Sequence, residues 1–292
     1  MFSPNQLKRS FYPGEEWVYM KLYMGPETAE EWICHHLPRI RKDIQNEFSG
    51  SLLFFVRFLD PDFHIRLRVY APQRKCFSSV VDLVNLHSGI MIKQGLIWKS
   101  EICTYEREIE RFGTERIEIF ERAFSIDSEF WLKILPWIET QDNHEDLRWK
   151  MALLSTYRYY RDLIRDQEEM TRIMSKITLA LKQEQKPGRT TLFQIDQKFR
   201  RVREDLMPYM EEELLIFPQI EGLLRNRSFR LAELFEPFRE GDNYFSWSKA
   251  DQNFADLVHM SLNRVLRSKH RMQEYVIYYY LVKLMKTQLA LR

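Results

Sequence analysis

Residues 51–72 read SLLFFVRFLDPDFHIRLRVYAP, and their folding sets the architecture of the first third of the chain. The first half is densely β-favouring, with Phe54, Phe55, Val56 and Phe58 in one run. Pro61 punctuates it. The second half alternates cleanly. Phe63, Ile65, Leu67 and Val69 point one way, while His64, Arg66, Arg68 and Tyr70 point the other. Two strands are therefore expected, the second with two arginines and a histidine on one face. Burying an unpaired guanidinium costs on the order of several kcal/mol. That face is thus solvated, matched by internal acids, or the wall of an anion pocket, and Arg57 is expected to extend the same surface.

On the N-terminal side, residues 17–23, WVYMKLY, alternate as a strand. Gly25–Pro26 makes a turn, and Thr28 stands where it can cap a helix with apolar positions Trp32, Ile33, Leu37 and Ile40. Gly50 ends that helical unit. Downstream, residues 75–94 read as a helix and 97–104 as a strand. The order strand, helix, strand, strand, helix, strand predicts an α+β fold with a small mixed or largely antiparallel sheet of the split βαβ type. Beyond about residue 114 the composition is helical, broken at Lys186–Pro187–Gly188 and bent or ended at Pro208 and Pro218. EPFREGDNYF, around Gly241, reads as a loop before a last helical pair at about 249–267 and 270–288. The expectation is a single domain over 1–292: a sheet-rich part to about 113, packed against a large helical region at about 114–292.

Composition narrows the class. With 20 Phe, 14 Tyr and 7 Trp in 292 residues, wholesale disorder is ruled out. A net charge of +2 gives no electrostatic ground for nucleic-acid binding. The cysteines, Cys34, Cys76 and Cys103, lie far apart without a CxxC pair, which points to a reducing, cytoplasmic compartment. No apolar run is long enough for a membrane span, and VIYYYLVKLM near the end is interrupted by lysines. No zinc motif, P-loop or GxGxxG is present.

Polar residues collect in two further places. YEREIERFG, residues 105–113, carries Arg107, Glu108, Glu110 and Arg111. As a helix it would put Arg107 and Arg111 on one face, held by the internal acids. With HIRLR it makes either an anion site or a local salt-bridge network. Near the C-terminus, His259 and Asn263 stand four apart, one helical turn, and share a space. Between His259 and Arg292 there are seven Lys and Arg but one acid, Glu274. Such a segment is either a basic end that receives an acidic peptide or polyanion, or a solvated amphipathic face. His35, His36, His87 and His144 show no metal-ligand spacing, and Tyr157, Tyr160 and Leu163 read as a core stripe.

In combination and in order, WVYMKLY, FFVRFLDPDFHIRLR, YEREIERFG, FSIDSE (124–129) and HMSLNR (259–264) carry a resemblance. From about residue 16 to 288 the chain resembles the C-terminal elimination domain of class I lanthipeptide dehydratases, also called the thiopeptide-type bacteriocin biosynthesis domain. In that family a glutamylation domain uses glutamyl-tRNA to esterify Ser or Thr of a precursor peptide. The elimination domain then removes glutamate, leaving dehydroalanine or dehydrobutyrine. A branch of the same fold, the pyridine synthases of thiopeptide pathways, joins two dehydroalanines in a formal [4+2] cycloaddition.

The resemblance implies a stand-alone elimination partner, since 292 residues leave room for that activity alone. It places the glutamate-handling arginines on Arg66, Arg68 and Arg111 and the catalytic histidine on His259, with acid and base roles both open. His64, Arg107, Glu108, Asn263 and Arg264 fall beside them as supporting residues. It implies no metal or organic cofactor. The expected partners are a glutamylated precursor peptide, a separate tRNA-dependent glutamylation protein and a cyclase, with no membrane insertion. Cycloaddition, or a non-catalytic leader-peptide binding or scaffolding subunit, are the alternatives.

Overall fold

The computed structural model describes residues 7–72, 76–164, 166–210, 217–238 and 247–290. The chain divides into two compact units, Met1–Trp137 and Ile138–Arg292.

In the first unit, β1 (Ser10–Phe11) precedes β2 (Trp17–Met24). The chain continues through α1 (Pro26–Glu31), a π-helical segment (Trp32–His36) and α2 (Leu37–Glu47). Next come β3 (Leu52–Leu59), β4 (Phe63–Tyr70), α3 (Cys76–Lys93) and β5 (Ile97–Cys103). The short β6 (Tyr105–Glu106) and α4 (Ile109–Phe112) lead into α5 (Ile117–Glu139). The four-stranded sheet has the order β3-β4-β2-β5, and every pairing is antiparallel. The fold class is α+β, as the element order predicts, and the sheet is antiparallel throughout. A two-residue ladder between β1 and β6 has no sequence signal.

One sheet face, with Val18, Met20, Leu22, Ile65, Leu67 and Val69 buried, receives helices α1 and α3, and Trp32, Leu37, Val80 and Val84 are buried in the helical layer. Fully burying such apolar side chains contributes about 1.5–3 kcal/mol each. This face is one side of the unit's core; on the other, Trp17, Phe54 and Tyr105 are buried together with Phe124 of α5. The outer edge of the sheet, β3, is closed by side chains. The Leu53 and Phe55 amides donate to the hydroxyls of Ser125 and Ser128 on α5, and Arg41 donates to the Leu53 carbonyl.

Two local expectations are corrected. The first helix starts at Pro26, with Gly25 in extended backbone as its N-cap and no side-chain cap, so Thr28 lies inside the helix. Proline needs no amide partner there and its φ suits a first turn. Arg57 pairs in register with Ile65, which turns it to the helix-covered face. There it is fully buried, 2.8 Å from Glu30 of α1.

The second unit is helical, with α6 (His144–Leu163), α7 (Gln167–Gln185), α8 (Arg189–Leu206) and α9 (Pro218–Phe235). It ends with α10 (Trp247–Val265) and α11 (His270–Ala290). Asp166 caps α7 through its carboxylate, and Lys186 ends it at φ 43°, in the left-handed region. Gly188 then caps α8. Pro208 lies in a 3-10 turn after α8, and Pro218 opens α9. Most of the expected loop around Gly241 lies outside the described residues. The Tyr157, Tyr160 and Leu163 stripe is buried, and α11 packs on α6, α7, α8 and α10. Among the described residues no helix is long and apolar enough to cross a membrane.

Candidate active site

Strand parity builds the first group. On β4, His64, Arg66 and Arg68 share the sheet face opposite α1 and α3. Their partners across β2 are Tyr23, Lys21 and Tyr19, and across β3 they are Phe58, Val56 and Phe54. His64 and Arg68 thus stand between aromatic neighbours, and Arg66 between Lys21 and Val56.

Arg68 is only 8% exposed. Its guanidinium lies 4.7 Å from the Tyr19 ring and 5.5 Å from the rings of both Phe54 and Tyr105. Its Nε has no hydrogen-bond partner, and no carboxylate pairs with it among the described residues. Ring faces attract a cation by about 0.5–2 kcal/mol each. That only partly offsets the desolvation of a guanidinium whose fork is left open for an anion.

Arg66 stacks 3.3 Å above the Phe58 ring and donates from Nε to His64 Nε2 at 3.2 Å. Burial holds its pKa below the ordinary arginine value, with Tyr19 opposing and Arg68 adding to the effect. His64, buried between the Tyr23 and Phe58 rings, turns Nδ1 toward the Asp62 carbonyl at 2.8 Å. Nδ1 therefore carries the proton and donates, leaving Nε2 free to accept from Arg66. Burial lowers the His64 pKa first, and the charges of Arg66 and Lys21 act the same way against the Asp62 carbonyl. The imidazole is a neutral acceptor that aims Arg66.

The 105–113 segment reaches the same face. Tyr105 lies against Arg68, and the Glu108 carboxylate acts electrostatically on Arg66. Arg107 and Arg111 do not share a helix face, because α4 begins only at Ile109. Arg107 is clamped by both carboxylate oxygens of Glu121 at 2.8 Å, with Glu118 at 3.1 Å. Arg111, one-third exposed, pairs with Glu108 at 3.0 Å. Glu121 itself is held high by burial, against the pull of Arg107.

The second group lies in the helical unit. His259 and Asn263 meet as their spacing predicts, with Asn263 Nδ2 3.0 Å from His259 Nε2. The other ring nitrogen, Nδ1, lies 2.8 Å from Glu274 Oε2 on α11. Arg271 Nη1 reaches the same oxygen at 2.8 Å, and Arg271 also grips Glu184 at the end of α7. Glu184 holds the Arg271 pKa well above the ordinary arginine value. His259, Arg271 and Glu274 line a cavity of about 430 Å³ with Lys176, Asp256 and the apolar Ile173, Ile177, Ala180, Leu181 and Ala255. Arg264 is fully buried. Among the described residues no three His, Cys, Asp or Glu side chains are grouped as a metal ion requires.

The predicted residues thus fall into two sets. His64, Arg66, Arg68 and Glu108 gather in the first unit with Arg111 paired at their margin, and His259 and Asn263 meet in the second. No spacing rule groups Glu274, Arg271 and Glu184 as a set. The signal that the sequence carries is Glu274 as the sole acid of the basic C-terminal segment.

Comparison with known proteins fixes the family. The family model for the lantibiotic biosynthesis dehydratase C-terminal region matches residues 17–285, and the chain belongs to that family. It is 30% identical over 162 residues to the nisin biosynthesis protein NisB of Lactococcus lactis subsp. lactis, covering 52% of this chain and 15% of that protein. It is 35% identical over 118 residues to the subtilin biosynthesis protein SpaB of Bacillus subtilis, covering 40% and 11%. The chain therefore spans only a small part of these relatives.

Two solved structures share the fold. The tRNA-dependent lantibiotic dehydratase MibB of Microbispora sp. 107891 superposes with TM-score 0.67 at 16% identity, over 99% of this chain and 29% of that one. The pyridine synthase TbtD from thiomuracin biosynthesis gives TM-score 0.66 at 12% identity, over 95% and 100%.

Proposed function

We propose that this protein performs the elimination step of lanthipeptide dehydration, expelling glutamate from O-glutamylated Ser or Thr of a precursor peptide. The observation that carries the reading is Arg68: a buried guanidinium, cushioned by three rings, with no carboxylate of its own among the described residues. A glutamyl ester brings the missing carboxylate. Arg66, aimed by neutral His64, and Arg111 supply further positive charge as the glutamate leaves.

The reaction needs a base for the Cα proton of the modified residue. The Cα–H electron pair becomes the new Cα=Cβ bond, the Cβ–O bond breaks, and glutamate departs as a carboxylate. His259 fits the base, because Glu274 holds Nδ1 and leaves Nε2 as the acceptor nitrogen. Asn263 serves both ring states. In the resting ring its amide N–H donates to the Nε2 lone pair, so it turns aside before Nε2 takes the Cα proton, after which its carbonyl accepts from Nε2–H. Dehydroalanine or dehydrobutyrine is the product. A separate glutamylation protein would supply the ester, and a cyclase would consume the alkene.

Identity of 30% to the nisin biosynthesis protein and 35% to the subtilin biosynthesis protein, within the lantibiotic dehydratase C-terminal family, supports elimination over cycloaddition. So does the open guanidinium, which neutral dehydroamino acids do not call for. The test is co-expression with a precursor peptide and a glutamylating partner. Arg68→Ala, Arg111→Ala and His259→Ala are each expected to leave glutamylation intact and to accumulate glutamylated peptide. Loss of His259 should slow release by about 10²–10⁴-fold. Wild-type yields of dehydroamino acid from all three variants would refute the assignment.

A further inference from the structure

We infer that Glu274 is the positioning residue of His259, and that Arg271 and Glu184 hold it in place. The inference rests on the proposed role of His259 and names what sets the reactive nitrogen. Glu274 is 2% exposed, and one of its oxygens receives both His259 Nδ1 and Arg271 Nη1 at 2.8 Å. A carboxylate has no proton to give, so the ring must donate to it, and the neutral ring is fixed with Nδ1–H and an unprotonated Nε2 whose lone pair accepts from Asn263 at rest. Without that contact the two tautomers compete, and the opposite one has no lone pair at Nε2.

Glu274 is itself restrained. Arg271 Nη1 binds Glu274, while Arg271 Nε donates to Glu184 Oε1 at 2.8 Å and Nη2 pairs with Glu184 Oε2. Two opposed carboxylates on one planar guanidinium leave it little freedom to rotate. The order Glu184, Arg271, Glu274, His259, Asn263 thus joins α7, α11 and α10 in one line of contacts. Its three middle members, Arg271, Glu274 and His259, form part of the wall of the cavity.

A purely structural ion network would hold helices together without selecting a tautomer, so the test reads the ring directly. In the full-length chain carrying ¹⁵N-histidine, the His259 nitrogens are assigned by difference from His259→Asn. Wild type is expected to show Nδ1 protonated. Glu274→Gln, which keeps shape and removes charge, should lose that preference and slow single-turnover glutamate release by about 10–10²-fold with little change in peptide binding. Glu274→Asp should recover part of both. If Glu274→Gln does not fold, Glu184→Gln, at the exposed end of the line, serves instead, and is expected to broaden the tautomer signal and slow release less.

An unchanged His259 tautomer in folded Glu274→Gln, or in Glu184→Gln where that variant is used, would overturn the positioning role. A shifted tautomer in a protein that releases no glutamate even as wild type would keep the positioning role and sink the elimination reading.

Discussion

At the scale of single residues, the cations of β4 are held where water does not help them. Arg68 is held over three aromatic rings, and Arg66 is aimed by an imidazole that must stay neutral to accept from it. Burial lowers the His64 pKa, so the folded protein binds that proton less readily than the unfolded chain. The stability this contributes is fully present above the unfolded histidine value of about 6.5 and is lost as pH falls below it. Protonation would also put an N–H where Arg66 now donates. Urea melts of wild type and His64→Gln should therefore converge as pH is lowered from 8 to 5, with wild type gaining its advantage at the high end. A difference independent of pH across that range would show that His64 packs without its proton mattering.

At the scale of elements, strand parity explains both what the sequence discloses and what it conceals. The alternation of β4 is enough to place His64, Arg66 and Arg68 on one face, because a strand has period two. Neighbouring β3 is apolar on both faces, so its parity is invisible in the sequence, and only its register with Ile65 assigns Arg57 to the correct side. The His259–Asn263 contact is legible because one helical turn fixes it. The Glu274 contact is not, since it depends on how α11 returns against α10.

The FSIDSE segment shows a further hidden role: Ser125 and Ser128 close the β3 edge by accepting from Leu53 and Phe55. Ser128 is fully buried, so Ser128→Ala strands the Phe55 amide. The expected cost is about 1–3 kcal/mol, read as a lower urea midpoint without a changed slope. An unchanged midpoint would mean that the edge is not closed this way.

At the scale of the whole molecule, folding offsets part of the charge segregation seen along the sequence. The basic C-terminal segment meets acids from elsewhere in its own unit: Arg267 pairs with Glu139 and Glu145, Arg271 with Glu184, and Lys283 with Asp196. Arg264 is interior. Much of the segment's charge is thus held in internal pairs, while Lys269 and Lys286 stay exposed; in the first unit the buried guanidinium of Arg68 has no acid beside it among the described residues. The chain matches only part of the nisin and subtilin proteins, so its activity has to be measured on this chain itself. The most direct measurement mixes the purified protein with an O-glutamylated precursor peptide, without tRNA or ATP, and follows free glutamate and peptide mass under single turnover. Stoichiometric glutamate is expected, together with a peptide carrying dehydroalanine or dehydrobutyrine. A peptide that keeps its glutamyl ester, or one that reacts only after dehydration to form a ring, would contradict it.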